Sequence, residues 1–411
     1  MKFLRTASTR RLLAMIAGIV IAIAAGTAIA VAAGSGGSTP KQQPLASAVH
    51  QALAAPAVKG ITADVTFSNH LISSSDLQGS DPILSGASGR LWLSGDGRLR
   101  LELQSSSGSG QDAEVVVNQG SFWLYDPSAN TVYEGTLPAQ VGAGKSAKSA
   151  THDQVPSIAQ IQSQLSQLMA HVNVAGPTPG NIAGQPAYTV RISPKHDGGL
   201  LGQVELGWDA LRGVPLRVGL YAKGSSTPVL ELTATNISYG SVPASDFNAA
   251  PPAGAKVVKV STPAGGAGQA KTANKKHAEI TGAAAVAKHL SFPLAAPSRL
   301  VGLPRQSVQL LDWAGTPAAL VSYGQNLGGI AVIESPAPAQ APAASANGSS
   351  SSSGSGDHSG LSLPTVSING ASATELNTAI GTVLRFTRGN VSYTVLGSVP
   401  AAAAEAAARA L

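Results

Sequence analysis

Around residue 96 the chain alternates without a break. Leu91 and Leu93 flank Trp92 and follow Arg90. Gly95-Asp96-Gly97 comes next, and then Leu99, Leu101 and Leu103 alternate with Arg98, Arg100 and Glu102. A period of two sends all five leucines to one face of a strand pair and the Arg, Trp and Glu side chains to the other. Gly-Asp-Gly is turn chemistry, so the spacing predicts a β-hairpin with one apolar face. Such a face has to be covered, and that requirement governs what the rest of the chain can be.

The pattern recurs. Ile61, Ala63, Val65 and Phe67 alternate with Thr62, Asp64, Thr66 and Ser68. Residues 114–118 and 121–125 flank Gln119-Gly120 as a second hairpin, and 131–135, 187–193, 202–209, 216–222 and 229–238 read as further strands. Helical spacing interrupts twice: Leu45, Val49 and Leu53, ended by Pro56, and Ile158, Ile161, Leu165 and Leu168 within 157–169. Two helices are too few to hide so long a sheet if it were flat. The expectation for 45–255 is therefore a curved antiparallel sheet wrapped around the helices as an incomplete β-barrel. Residues 256–277 read as a Lys/Gly/Ala-rich linker. Residues 278–411 read as a smaller α+β domain, making the whole chain α+β. In that domain helices are expected at 283–290, at 373–380 and after Pro400. Strands are expected at 308–312, 318–323, 329–334 and 365–368, with a hairpin joining 383–387 to 392–396. Pro-Ala repeats and a serine run mark 335–360 as a disordered insertion.

Charge is placed unevenly. The formal net charge of +6 would ordinarily raise nucleic acid as a partner. Yet Lys2, Arg5, Arg10 and Arg11 form a basic leader over 1–11, and five lysines without an acid lie in the 256–277 linker. The globular segments are neutral or slightly acidic, which argues against a basic groove and against nucleic-acid binding. Residues 12–33 carry no charge over 22 positions, a helix of about 33 Å, long enough to cross a bilayer. Either this segment anchors the chain by a single pass, or it is a signal peptide cleaved near Ala28-Ile29-Ala30. On both readings the cations before it stay cytoplasmic and the bulk of the chain is extracytoplasmic. Residues 34–44 then read as a flexible linker. The absence of cysteine excludes disulfides, thiolate metal sites and a lipobox anchor.

Gly89-Arg90-Leu91-Trp92-Leu93, Gly97-Arg98-Leu99-Arg100-Leu101-Glu102 and Gly120-Ser121-Phe122-Trp123-Leu124-Tyr125-Asp126-Pro127 carry a family likeness. Later echoes are Ala187-Tyr188-Thr189-Val190-Arg191-Ile192 and Pro215-Leu216-Arg217. In order and spacing they resemble the bacterial outer-membrane lipoprotein carrier (LolA) family and the related sigma-factor regulator RseB, over roughly 45–252. The resemblance implies an incomplete β-barrel closed by helices around an apolar cavity that accepts acyl chains. Where the carriers have a lid-gating arginine, this chain has Ser94-Gly95-Asp96, so that role is not carried over to Arg98 or Arg100.

No enzyme chemistry is legible. The eight histidines are scattered, and there is no H-E-x-x-H, G-x-S-x-G or phosphate-binding glycine loop. The chain is expected to be non-catalytic, with no cofactor and no metal. Val65, Phe67, Leu91, Leu93, Leu99, Leu101, Leu103, Val190, Leu165 and Leu168 are the expected cavity wall, where core and ligand surface coincide. Trp92, Trp123 and Tyr125 are either sheet packing or the cavity mouth. The expected function is an exported, membrane-tethered protein of the bacterial envelope that holds a lipid or an acylated lipoprotein. The alternative is an RseB-like regulatory module that binds an envelope protein in an anti-sigma pathway.

Overall fold

Two meanders share one sheet. The first comprises β1 (Gly60–Asn69), β2 (Ala87–Ser94), β3 (Leu99–Ser105), β4 (Ala113–Asn118), β5 (Ser121–Asp126) and β6 (Thr131–Thr136). The second comprises β7 (Val172–Ile182), β8 (Gln185–Pro194), β9 (Leu201–Asp209), β10 (Pro215–Ala222) and β11 (Pro228–Tyr239). β1 pairs antiparallel with β11, with Phe67 opposite Leu232, and this joins the meanders. With β12 (Lys256–Val260) parallel to β6, the order is β12-β6-β5-β4-β3-β2-β1-β11-β10-β9-β8-β7. The computed structural model describes residues 39–72, 84, 86–105, 112–118, 120–137, 155–196, 198–260, 280–313, 316–337 and 363–411. The basic leader, the 12–33 segment and most of both expected low-complexity stretches lie outside those residues.

The expected curved sheet is present, and its core is its own side chains. Leu101 and Leu103 on β3 meet Val218 and Leu220 on β10, strands that are four places apart in the sheet, so the sheet curls back on itself. The helices do not fill this curl. α1 (Leu45–Ala54) covers Tyr188 and Val190 on β8, Trp208 on β9 and Ala210 just past its end. α2 (Ile158–Leu168) begins with a capping box between Ser157 and Gln160 and packs on α1. Ile161 is buried, whereas Ile158 and Leu168 stay 40% and 43% exposed.

The second sheet is all antiparallel, in the order β13 (Arg299–Leu300), β14 (Leu303–Trp313), β15 (Thr316–Tyr323), β16 (Ile330–Pro336), β20 (Val391–Gly397), β19 (Gly381–Arg388), β18 (Ala371–Thr378) and β17 (Thr365–Ile368). α3 (Ala283–Ala287) and α4 (Ala401–Arg409) contribute Val286, Ala404, Ala407 and Ala408 to its core.

Three segments differ from the sequence expectation. Residues 373–378 are strand and 379–380 a turn, rather than helix, because Asn369 and Gly370 both take positive φ (49° and 84°) and turn β17 into β18, which then pairs on both sides. β7 escapes sequence reading because it contains Pro177 and Pro179, which an edge strand tolerates. Residues 256–260 extend the first sheet instead of starting a linker.

Glu334 lies fully buried on β16 among the apolar side chains of the second core. One carboxylate oxygen accepts from the Ala295 amide at 2.8 Å, and the other has no partner among the described residues. Burial pushes its pKa up to about 7 from 4.5. The folded state therefore holds a proton that the unfolded chain releases, and stability falls as pH rises between about 4.5 and about 7. The loss is about 3 kcal/mol. Glu334→Gln keeps the Ala295 contact and should flatten this slope in urea unfolding of the full chain followed across pH 4–8.

Candidate functional site

Strand register decides which side chains meet. Ala63, Leu91, Leu101, Val115, Leu124, Tyr133 and Val258 are successive cross-strand partners from β1 through β2–β6 to β12. On the other side Phe67, Leu232, Val218, Leu206 and Val190 form a matching row from β1 across β11, β10 and β9 to β8. Paired residues share a face, so one apolar surface runs across the whole sheet. The curl lays β2 and β3 against β10 and β11.

Two apolar cavities lie between these walls. The larger, about 40 Å³, is lined by Ile61, Ala63, Val65, Leu91, Leu93, Val214, Pro215, Leu216, Val218, Leu232, Ala234 and Ile237, with Arg217 the one charged residue bordering it. The smaller, about 20 Å³, is lined by Phe67, Leu101, Leu103, Val218, Leu220, Leu230, Leu232 and Glu231. Val218 and Leu232 border both, so the two lie end to end in one slot. Spaces of this size admit about one to a few waters, while ligand pockets run to about 300–1,000 Å³. In this state the walls are nearly in contact.

Six expected wall residues come together here: Val65, Phe67, Leu91, Leu93, Leu101 and Leu103. Leu99 belongs to the same core cluster without lining either cavity. Val190 shares the apolar face but sits under α1, in a separate cluster with Tyr188 and Trp208. Leu165 and Leu168 are on α2, away from the slot. The wall formed by Leu216, Val218, Leu220, Leu230 and Leu232 was missed as a site. Its signal, the alternation Leu216-Val218-Leu220-Ala222, was legible as strand, but nothing local says which strand it faces.

The aromatic residues expected at a mouth lie on the opposite face. Thr62, Trp92, Arg100, Val116, Trp123, Glu134 and Lys259 form one outer row. Trp92 lies beneath the guanidinium groups of Arg90 and Arg100, at 5.8 and 5.2 Å from its ring centre. Tyr125 is 2% exposed on that same side, and its hydroxyl meets Asn130 Oδ1 at 3.2 Å. Cross-strand ion pairs also lie on the outer face: Arg90 with Asp64, Arg100 with Glu114, Arg191 with Glu205, and Arg217 with Glu205 and Glu231.

One rim of the slot is fixed by a buried polar cluster. Asp209 is 0% exposed and accepts from the Leu211 and Arg212 amides at 2.8 and 2.9 Å. It also meets Arg212 Nη1 at 3.0 Å and the Tyr239 hydroxyl at 2.7 Å. Arg212 lies 4.2 Å over the Tyr239 ring. Burial, followed by the hydrogen bond to Asp209, pushes the Tyr239 phenol well above its ordinary range. Among the described residues no group of His, Asp or Glu is placed to hold a metal ion, and no helix is long and apolar enough to cross a membrane.

No protein-family model and no curated protein matches the chain. Similar solved structures include MucB in complex with the periplasmic part of MucA, 17% identical over 85% of this chain and 91% of that one, with a TM-score of 0.38. A Pseudomonas aeruginosa MucA/MucB complex is 16% identical over 88% and 94%, with a TM-score of 0.37. A LolA superfamily protein from Nitrosomonas europaea is 9% identical over 46% and 89%, with a TM-score of 0.17. Both types that the sequence resembles, RseB (MucB) and LolA, are thus among the solved structures similar to this chain.

Asp209→Ala leaves Arg212 and Tyr239 without their buried acceptor and frees two turn amides. It should cost about 3–5 kcal/mol in urea unfolding, the scale of a broken buried ion pair.

Proposed function

We propose that this chain is a non-catalytic binding module of the bacterial envelope that takes an apolar chain between its two walls. The occupant would be the acyl chain of a lipid or of an acylated protein. The carrying observation is the pair of end-to-end cavities that share Val218 and Leu232 and are lined almost wholly by aliphatic side chains. A slot with no charged anchor at its centre selects an aliphatic chain rather than a polar ligand. An acyl chain needs more room than about 20 or 40 Å³, so the walls part as it enters. The curled sheet permits this, because its edges β7 and β12 are not joined. The uncharged 12–33 segment would place the module outside the cytoplasm, anchored or released.

A second reading takes a protein partner, as MucB holds MucA. Val155, Ile158, Leu168 and Met169, each 40–45% exposed, present an apolar surface on and beside α2 that favours it. A pull-down that yields a stable envelope protein without lipid would favour this reading.

Native mass spectrometry of the full chain purified from a bacterial host tests the first. The wild type should carry co-purified acyl lipid or take up cis-parinaric acid. Val218→Trp fills both cavities at an overpacking cost of about 1–3 kcal/mol; it should remain folded and lose the ligand. Neither lipid nor fatty-acid uptake by the wild type would overturn the proposal.

A further inference from the structure

The geometry points to a stopper: the β18–β19 turn of the second domain, Ala379-Ile380, closes one end of the slot, so that entry of an acyl chain and docking of the second domain exclude one another. This rests on the slot reading above.

β1 and β10 both pair antiparallel with β11, so they run in the same direction and end on one rim. The smaller cavity lies toward that rim, bordered by Phe67, Leu220 and Leu230. Ala379 and Ile380 pack, half-buried, against the apolar cluster that contains Phe67, Leu101, Leu103 and Leu230. The Ala379 amide donates to the Leu71 carbonyl, just past the end of β1, at 2.9 Å. The Ile380 carbonyl accepts from Ser398 Oγ at 2.7 Å. Ser398 in turn accepts from the Leu200 amide, at 3.0 Å on both its carbonyl and its Oγ. Lys223, just past the end of β10, donates its amide to the Leu200 carbonyl at 2.7 Å. The fit is close: at Gly199, with φ +61°, a Cβ would stand 2.1 Å from the Ser398 carbonyl oxygen.

The two ends of the slot are closed by different means. The far rim is held inside the first domain by the buried Asp209–Arg212–Tyr239 cluster. The near rim is closed by a separate domain, through a few backbone and hydroxyl hydrogen bonds and one isoleucine. The near rim is therefore the end that opens. An acyl chain offers the cluster the same apolar contact as Ile380, so one can replace the other without exposing the core to water. Release of the second domain then reports that the slot is occupied.

The chain has no cysteine, so an engineered Leu71→Cys/Ala379→Cys pair is its only thiol pair. Binding of cis-parinaric acid to the full chain is measured with the pair oxidised and reduced. The oxidised form should bind at least about 10-fold more weakly than the reduced form, as expected when the competent state is withheld. Ile380→Ala, which weakens the stopper without a cross-link, should bind more tightly than the wild type. Equal affinity of oxidised and reduced forms, with wild-type binding intact, overturns the stopper and leaves the slot standing. Should the pair fail to oxidise, unchanged affinity in Ile380→Ala overturns it. Absence of binding in every form, the wild type included, overturns the slot and the stopper together.

Discussion

The pairing of β1 with β11 is the interaction on which the rest depends. It joins strands some 160 residues apart and turns two local meanders into one sheet with one continuous apolar face. The register matters as much as the pairing. With Phe67 opposite Leu232, the leucines of β2 and β3 and the aliphatics of β10 stand on the same side. A slip by one residue would send one set outward among the arginines and glutamates. The curl follows, because a sheet of this length with an uncovered apolar face lowers its free energy by closing on itself.

Much of the first wall was legible in the sequence. The alternation Leu99-Leu101-Leu103 across the Gly95-Asp96-Gly97 turn fixes a hairpin and its inner face with no tertiary information, and Val65, Phe67, Leu91 and Leu93 follow from the same period. What the period cannot supply is the partner across the interior. β10 reads plainly as a strand, yet that its Val218 faces Leu101 is decided by the curl of the sheet. For the same reason Val190 carries the right pattern and lands under α1. Of the two readings open for the aromatic residues, the register gives sheet packing: Trp92 and Trp123 occupy the outer phase of their own strands, and Arg90 and Arg100 lie over Trp92. In the second domain, an Ala/Glu/Leu-containing stretch of helical composition was overridden by the Asn369-Gly370 turn and by strand pairing on both sides.

Polar chemistry is kept away from the slot and used to hold its frame. Ion pairs run along the outer face, and a deeply buried cluster, Asp209 with Arg212 and Tyr239, pins a rim. The side chains bordering the slot are mostly aliphatic, with Arg217 and Glu231 the charged residues among them. The second domain brings its own buried carboxylate, Glu334, and a turn that reaches the other rim. That turn, Ala379-Ile380, packs on the apolar cluster of the first sheet.

Whether the space between β2–β3 and β10–β11 receives an aliphatic chain is read out by methyl NMR with a fatty acid spin-labelled near its methyl end. Occupancy of that space should selectively broaden Leu101, Val218 and Leu232 and leave Val332 and Val395 in the second core unaffected. Broadening confined to the exposed Leu168 and Met169 near α2, or no selective broadening at all, would contradict it.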